Sequence, residues 1–162
     1  EGLITSEPQK GKHVRQMTGK EIYDSYVVAG ILEGAGVAES LPLWTEANME
    51  TFRSVVRQME GKISYATKLD ELAEIDELFH ATLFMACDNT RLVEMARTSC
   101  ATISKYLYYQ HWITMFTPRE YADRHHAVAE AVYSRDVKHV ETALRDHYKE
   151  TGLRMAQFGK EA

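Results

Sequence analysis

From Thr18 onward, apolar residues return every three or four positions, the period of a helix with one buried face. Thr18-Gly19-Lys20-Glu21 has the form of a capping box, in which the Thr and Glu side chains satisfy free backbone N–H groups. It opens a helix that buries Ile22, Tyr26, Ala29 and Leu32 and fades near Ser40, because Pro42 cannot continue it. Met49, Phe52, Val56, Met59 and Ile63 mark a second helix, followed by a polar break over residues 64–68. A third carries Leu72, Ile75, Phe79, Leu83 and Ala86 and stops near Asp88-Asn89. The fourth is expected over residues 90–114, with Leu92, Met95, Ile103 and Leu107 inward. Thr117-Pro118-Arg119-Glu120, a second capping box with Pro at the first helical position, opens a fifth that ends near Ser134. Asp136 caps a sixth, which runs to about Phe158.

The opening residues follow a different rule. Leu3-Ile4-Thr5 and Lys12-His13-Val14 are short strand-like runs around Pro8, Lys10 and Gly11, which predicts a hairpin with a basic turn. Alone it is too small to be stable. The expected fold is therefore all-α: an antiparallel bundle of about six helices over residues 18–162, preceded by a β-hairpin remnant over residues 1–17.

Composition narrows the class of protein. The chain's 162 residues suffice for one domain with a real core. Its 44% apolar and 27% charged residues describe a globular chain. A formal charge of −5 makes the chain as a whole a poor nucleic-acid binder. No uncharged apolar run approaches the ~20 residues that span a bilayer, and residues 1–12 contain no secretory core. Cys87 and Cys100 form no C-x-x-C pair and read as small hydrophobes of a reduced, cytoplasmic protein.

The candidate chemistry lies on three helices. Asp76 and His80, four residues apart, share the inward face of the third helix with Leu72 and Leu83. On the fifth, His125 shares a face with Tyr121, Val128 and Val132, which turns His126 outward. On the sixth, His147 shares a face with Val140, Ala143 and Leu144. One carboxylate and three imidazoles aimed at a common interior suit a borderline divalent ion: zinc first, then nickel, manganese or cobalt. The same spacing also fits a hydrogen-bonded Asp–His pair and satisfied core histidines. Spacing alone leaves both readings open. Tyr106, Tyr108, Tyr109 and Trp112 form an aromatic cluster for core packing, a cavity wall or a dimer surface.

Four segments in order resemble the FadR-type effector domain, the FCD domain, of GntR-family transcription regulators. These are Asp76-Glu77-Leu78-Phe79-His80, the Cys87-to-Leu92 segment, the helix beginning His125-His126-Ala127-Val128, and the stretch from Asp136 to His147. The resemblance implies a regulatory domain rather than an enzyme, with Asp76, His80, His125 and His147 holding a divalent metal. It implies a small organic acid effector beside that metal, against Tyr26, Ser99, Thr102 and Tyr106. It also implies a homodimer, and operator DNA bound through a winged helix of which residues 1–17 are the last part, so that the chain is a fragment of a longer regulator. One departure stands out. Where the family commonly carries an Arg four residues before Glu33, this chain has Ala29, and Ser99, Thr102 and Ser104 replace further basic positions. A less basic cavity follows unless Lys105 or Arg97 substitutes, which weighs against a simple dicarboxylate. A di-iron helical enzyme is disfavoured, because Glu77 to His80 is a single E-x-x-H match without a partner.

Overall fold

The first long helix, α1 (Gly19–Ser40), runs through the middle of the computed structural model, which describes residues 4–7 and 11–161. The Thr18–Glu21 capping box forms as expected. Its stretch Gly19–Leu43 is long and apolar enough to cross a bilayer, with a mean hydropathy of 1.2. Here it is instead a core helix packed against α7 (Val137–Ala156) and α4 (Thr90–Ser99). The close crossing with α7 depends on missing side chains. A Cβ on Gly30 would lie 2.8 Å from Tyr148 Cβ, and one on Gly152 would lie 2.8 Å from Tyr26 Cβ.

The remaining helices close the bundle. The 3-10 turn Leu41–Leu43 holds Pro42 and leads to α2 (Glu46–Ile63), which begins with a Thr45–Asn48 capping box. A second 3-10 turn, Leu69–Leu72, precedes α3 (Ala73–Leu83). The antiparallel hairpin α6 (Pro118–Ser134) to α7 follows, joined through Arg135 in the left-handed region at φ 56. Helix α2 packs on α3 and α6, and α6 packs on α7. Between α2, α3 and α6 lies an apolar core centred on Phe52 and Phe79, whose rings stand 5.4 Å apart.

Strands β1 (Ile4–Glu7) and β2 (Gly11–Val14) pair antiparallel, with Ile4 opposite Val14 and Glu7 opposite Gly11. Leu3 and the basic turn over residues 8–10 lie outside the described residues. Strand β2 is exposed along its length.

Two expectations need correction. The third helix is shorter than predicted: Leu72 sits in the 3-10 turn and Ala86 lies beyond the end, though Leu72 is fully buried. The fourth helix does not run unbroken to residue 114. Helix α4 ends at Ser99, a π-helical turn occupies Ile103–Leu107, and a short α5 (Tyr109–Trp112) follows. Tyr108 N–H donates to the Ile103 carbonyl five residues back, at 2.9 Å. Around this break Thr98, Ser99 and Ser104 turn their hydroxyls back onto the carbonyls of Glu94, Met95 and Cys100. Splitting that helix gives seven where the hydrophobic pattern predicts about six.

Candidate metal centre

Helices α1, α3, α6 and α7 turn polar side chains toward one interior point. The ring nitrogens of His80, His125 and His147 lie within 4.8 Å of one another. His125 Nε2 is 3.1 Å from Asp76 Oδ1. Two ligands each ~2.1 Å from one ion stand about 3–4 Å apart, so the Asp76–His125 spacing already suits adjacent ligand positions. The three imidazoles need close by only a fraction of that distance.

The hydrogen bonds fix what each ring offers. His125 Nδ1 donates to the Tyr121 carbonyl at 2.8 Å, which leaves Nε2 facing the Asp76 carboxylate. Burial pulls the His125 pKa below its ordinary value despite Asp76. Burial pushes the Asp76 carboxyl up, but the His125 contact and the charge of His80 bring it below the usual carboxylate value. Nδ1 of His147 is buried without a partner, and burial together with Arg124 drives the His147 pKa well down. Three imidazoles and a carboxylate are a donor set that suits a borderline divalent ion.

His80 is held differently. Its Nδ1 lies 2.6 Å from Glu33 Oε1, and the Tyr148 hydroxyl donates to Glu33 Oε2 at 2.8 Å. Burial opposes the imidazolium, but the Glu33 carboxylate outweighs it and raises the His80 pKa to about 9. Glu33 thus orients the ring and leaves Nε2 for a ligand, the usual support for a metal-bound histidine.

A cavity of about 270 Å³ opens beside these residues. Tyr26 lines it, as expected. Ser99, Thr102 and Tyr106 do not reach its wall, and Tyr106 is 65% exposed. The face of this segment that turns inward carries Arg97, Cys100, Ser104 and Lys105, and beyond the π-helical turn Tyr109 and Trp112. The aromatic cluster is thereby divided, since Tyr108 instead bonds the Met17 backbone. Ala29 is fully buried and lies off the wall. Burial, with Glu33 and Asp76 nearby, lifts the Cys100 thiol to about 12, so it lines the wall as an inert group.

Arg124 is the wall residue that motif reading missed. It donates to Glu150 Oε2 at 2.9 Å, to Thr151 Oγ1 at 2.6 Å and to the His147 carbonyl, and its guanidinium lies 4.0 Å above the Phe116 ring. Standing three residues after Tyr121 and four before Val128, it shares their inward face.

The FCD domain family matches residues 24–150, and the chain belongs to it. The resemblance read from the four motifs is thereby borne out. The HTH-type transcriptional repressor RspR of Escherichia coli (strain K12) is 24% identical over 163 residues, covering 99% of this chain and 69% of that protein. The same figures hold for the uncharacterized HTH-type transcriptional regulator YdfH of Shigella flexneri. Among solved structures, a GntR family transcriptional regulator from Pseudomonas syringae pv. tomato str. DC3000 superposes with a TM-score of 0.71 at 19% identity, over 96% of this chain and 64% of that one. E. coli McbR/YncC gives a TM-score of 0.75 at 14% identity, over 96% and 73%. These likenesses show the helical fold, and the chain spans about two-thirds of the relatives' length.

Proposed function

We propose that this chain is the sensing domain of a GntR-type transcription regulator and works through a bound divalent metal and a small organic acid. Asp76, His80, His125 and His147 hold the ion, with zinc the first choice and nickel, manganese or cobalt the alternatives. Four protein ligands leave positions for an acid in the adjoining cavity, where the ion supplies a Lewis-acidic anchor for a carboxylate. The observation that carries this reading is the convergence of the His80, His125 and His147 ring nitrogens within 4.8 Å, with Asp76 at 3.1 Å from His125 and the His147 Nδ1 unpartnered.

The regulatory step follows from where the ligands sit. α3, α6 and α7 each contribute, so an acid that draws the ligands together favours one packing of the helices over another. It can shift the balance only by its different affinity for the two arrangements. The β1–β2 hairpin is read as the end of a winged-helix DNA-binding domain, which the change repositions. A homodimer would present two such domains to paired operator half-sites.

The test is elemental analysis of the chain purified without a nickel column, beside a His125→Ala variant. About one divalent ion per chain, lost in the variant, is the expected result. Absence of metal after incubation with zinc, nickel and manganese would reduce the domain to a metal-free sensor or a dimerisation module. In the full-length parent, an acid that binds the metal-loaded domain should change operator affinity, and no change would refute the switch.

A further inference from the structure

The hairpin joins the bundle through a buried joint. Strand β2 ends at Val14, and three residues on, Met17 is 5% exposed in a small apolar cluster with Ile22, Tyr26, Ile103 and Met155. Both polar groups of its backbone are held. Met17 N–H donates to the Tyr108 hydroxyl at 3.1 Å, and that hydroxyl donates to the Met17 carbonyl at 3.2 Å. The same carbonyl accepts from Lys160 N–H at 2.9 Å, and Thr18 pairs with Lys160 in a short parallel bridge. The tail after α7 thus sits backbone to backbone on the joint, and a Cβ on Gly159 would lie 2.2 Å from Gly19 N. Phe158 stacks on His111 of α5 at 4.1 Å and completes the clasp.

The two partners of that carbonyl come from different walls of the cavity. Tyr108 follows the π-helical turn, whose Ser104 and Lys105 line the cavity, and precedes Tyr109 and Trp112, which also line it. Lys160 lies four residues beyond α7, which contributes His147, Tyr148 and Thr151 to the wall. N–H···O bonds hold within about 2.7–3.2 Å, so one carbonyl cannot follow both partners if the walls part. The cluster around Met17 shares Tyr26 with the cavity, and Cys100 and Trp112 pack against it from the wall. The segment between β2 and the joint offers less hold. Arg15 pairs with Glu21 at 3.1 Å, but the side chains are 36% and 46% exposed, and so open a pair is weak.

We infer that the Met17 joint, clasped between Tyr108 and the tail of α7, converts the spacing of the two cavity walls into restraint of the hairpin. This deepens the sensing role proposed above and rests on it for its consequence in the full-length protein. With the walls drawn together, both bonds to the Met17 carbonyl persist and the hairpin is carried in one direction. With the walls apart, one bond is lost and the hairpin swings. Tyr108 and Gly159 are positioning residues, since neither lines the cavity. The linkage is reciprocal, so cutting the clasp loosens the walls just as parting the walls releases the clasp.

The experiment reads both ends of the linkage in Tyr108→Phe and Gly159→Ala. At the joint, hydrogen exchange of the Met17 amide, followed by NMR, should quicken about five-fold in Tyr108→Phe, the loss of one hydrogen bond. The Lys160 amide should quicken by at least as much in Gly159→Ala. At the wall, Cys100 should react with methyl methanethiosulfonate at least about three-fold faster in both variants, while Cys87, which does not line the cavity, keeps its rate. Zinc alone should slow Cys100 labelling and Met17 exchange together in the parent, and only the labelling in Tyr108→Phe. An unchanged Cys100 rate in both variants overturns the inference, as does a Met17 amide that answers zinc equally in parent and variant. A parallel rise at Cys87 and in the amides of α2 means general loosening and overturns it too. Metal content of the same samples separates the two ideas. A chain that takes up no metal removes the proposed function, and its Cys100 and amide rates still decide the joint.

Discussion

Phe79 and His80 are neighbours on α3, yet they belong to two interiors built on opposite principles. On the Phe79 side, Trp44, Phe52, Phe79 and Tyr133 meet edge to face at 5.4–5.8 Å in a closely packed apolar core. On the His80 side lie Glu33, Asp76, three imidazoles and an open cavity. Five buried side-chain polar atoms lack a partner among the described residues, and those of Tyr26, Tyr121 and His147 all line that cavity. The two interiors share a wall, since the Phe79 ring sits 5.5 Å from His80 and 5.0 Å from His125. One interior keeps to the local rules of burial except at Trp44 Nε1, which has no partner among the described residues. The other breaks several at once, as sites kept for function rather than stability do.

The division is open to direct attack. Phe52→Ala should cost about 3–5 kcal/mol, because a fully buried ring leaves a cavity that the surrounding helices fill poorly. Urea unfolding measures this, and the metal bound per folded chain should stay the same. His125→Ala should do the reverse: abolish metal retention while costing only about 1–2 kcal/mol without metal. That variant removes a buried ring but also the cost of keeping its polar nitrogens away from water. If it destabilises the metal-free chain as much as Phe52→Ala does, the two interiors are one.

Glu33→Gln sharpens the comparison without deleting a ligand. The amide still occupies the place beside His80 Nδ1 but no longer holds the ring as an anion does, so metal affinity should fall about 10–100-fold. Competition with a chelator reads this change.

The pH dependence separates the same groups. In the metal-free chain His80 titrates at about 9 against an ordinary 6.5, so its contribution to stability is complete below 6.5 and lost as pH rises through about 9. His125 and His147 shift the other way, so theirs is present above 6.5 and lost as pH falls through their depressed values. Their opposed slopes put the maximum of the thermal midpoint of metal-stripped protein close to 6.5. Metal loading should remove the alkaline decline, since the ion displaces the His80 proton. Near neutral pH, about one proton should leave per ion bound, measured by calorimetry in buffers of different ionisation heat.

The helices and the four candidate ligand positions were legible in the sequence for the same reason. Asp76, His80, His125 and His147 each keep step with an apolar stripe, and helical period carries that information directly. The capping boxes at Thr18 and Thr117 marked two helix starts, while the one at Thr45 ends in Asn rather than Glu and was passed over. The π-helical turn was hidden because Leu92, Met95, Ile103 and Leu107 read through it at helical spacing. Thr98, Ser99 and Ser104 back-bond around the break, but Ser25, Thr51 and Thr151 do the same in helices that stay regular, so the hydroxyl pattern does not mark it either. Ser99, Thr102 and Tyr106, expected from the family resemblance to meet the effector, do not line the cavity. Arg124 was passed over because a long charged side chain is read as solvent-facing by default, although its neighbours at three and four residues face inward.

The smallest effect asks how far the metal centre depends on the helix that carries His125. Thr117 Oγ1 accepts from Glu120 N at 3.2 Å, and Glu120 Oε2 accepts from Thr117 N at 2.8 Å. Glu120 also pairs with Arg154 on α7 at 3.1 Å, so the start of α6 is tied to α7 a second time. Thr117→Ala removes one half of the box and should cost about 1 kcal/mol, read as a shift of the urea midpoint. His125 lies two turns further along α6, where packing against Phe79 and Tyr121 rather than the cap holds the ring. Metal affinity should therefore stay within about two-fold of the parent. A parallel loss of affinity and stability would mean that the polar interior is held by the whole bundle. Unchanged affinity would mean that it is held by the few rings and carboxylates that line it.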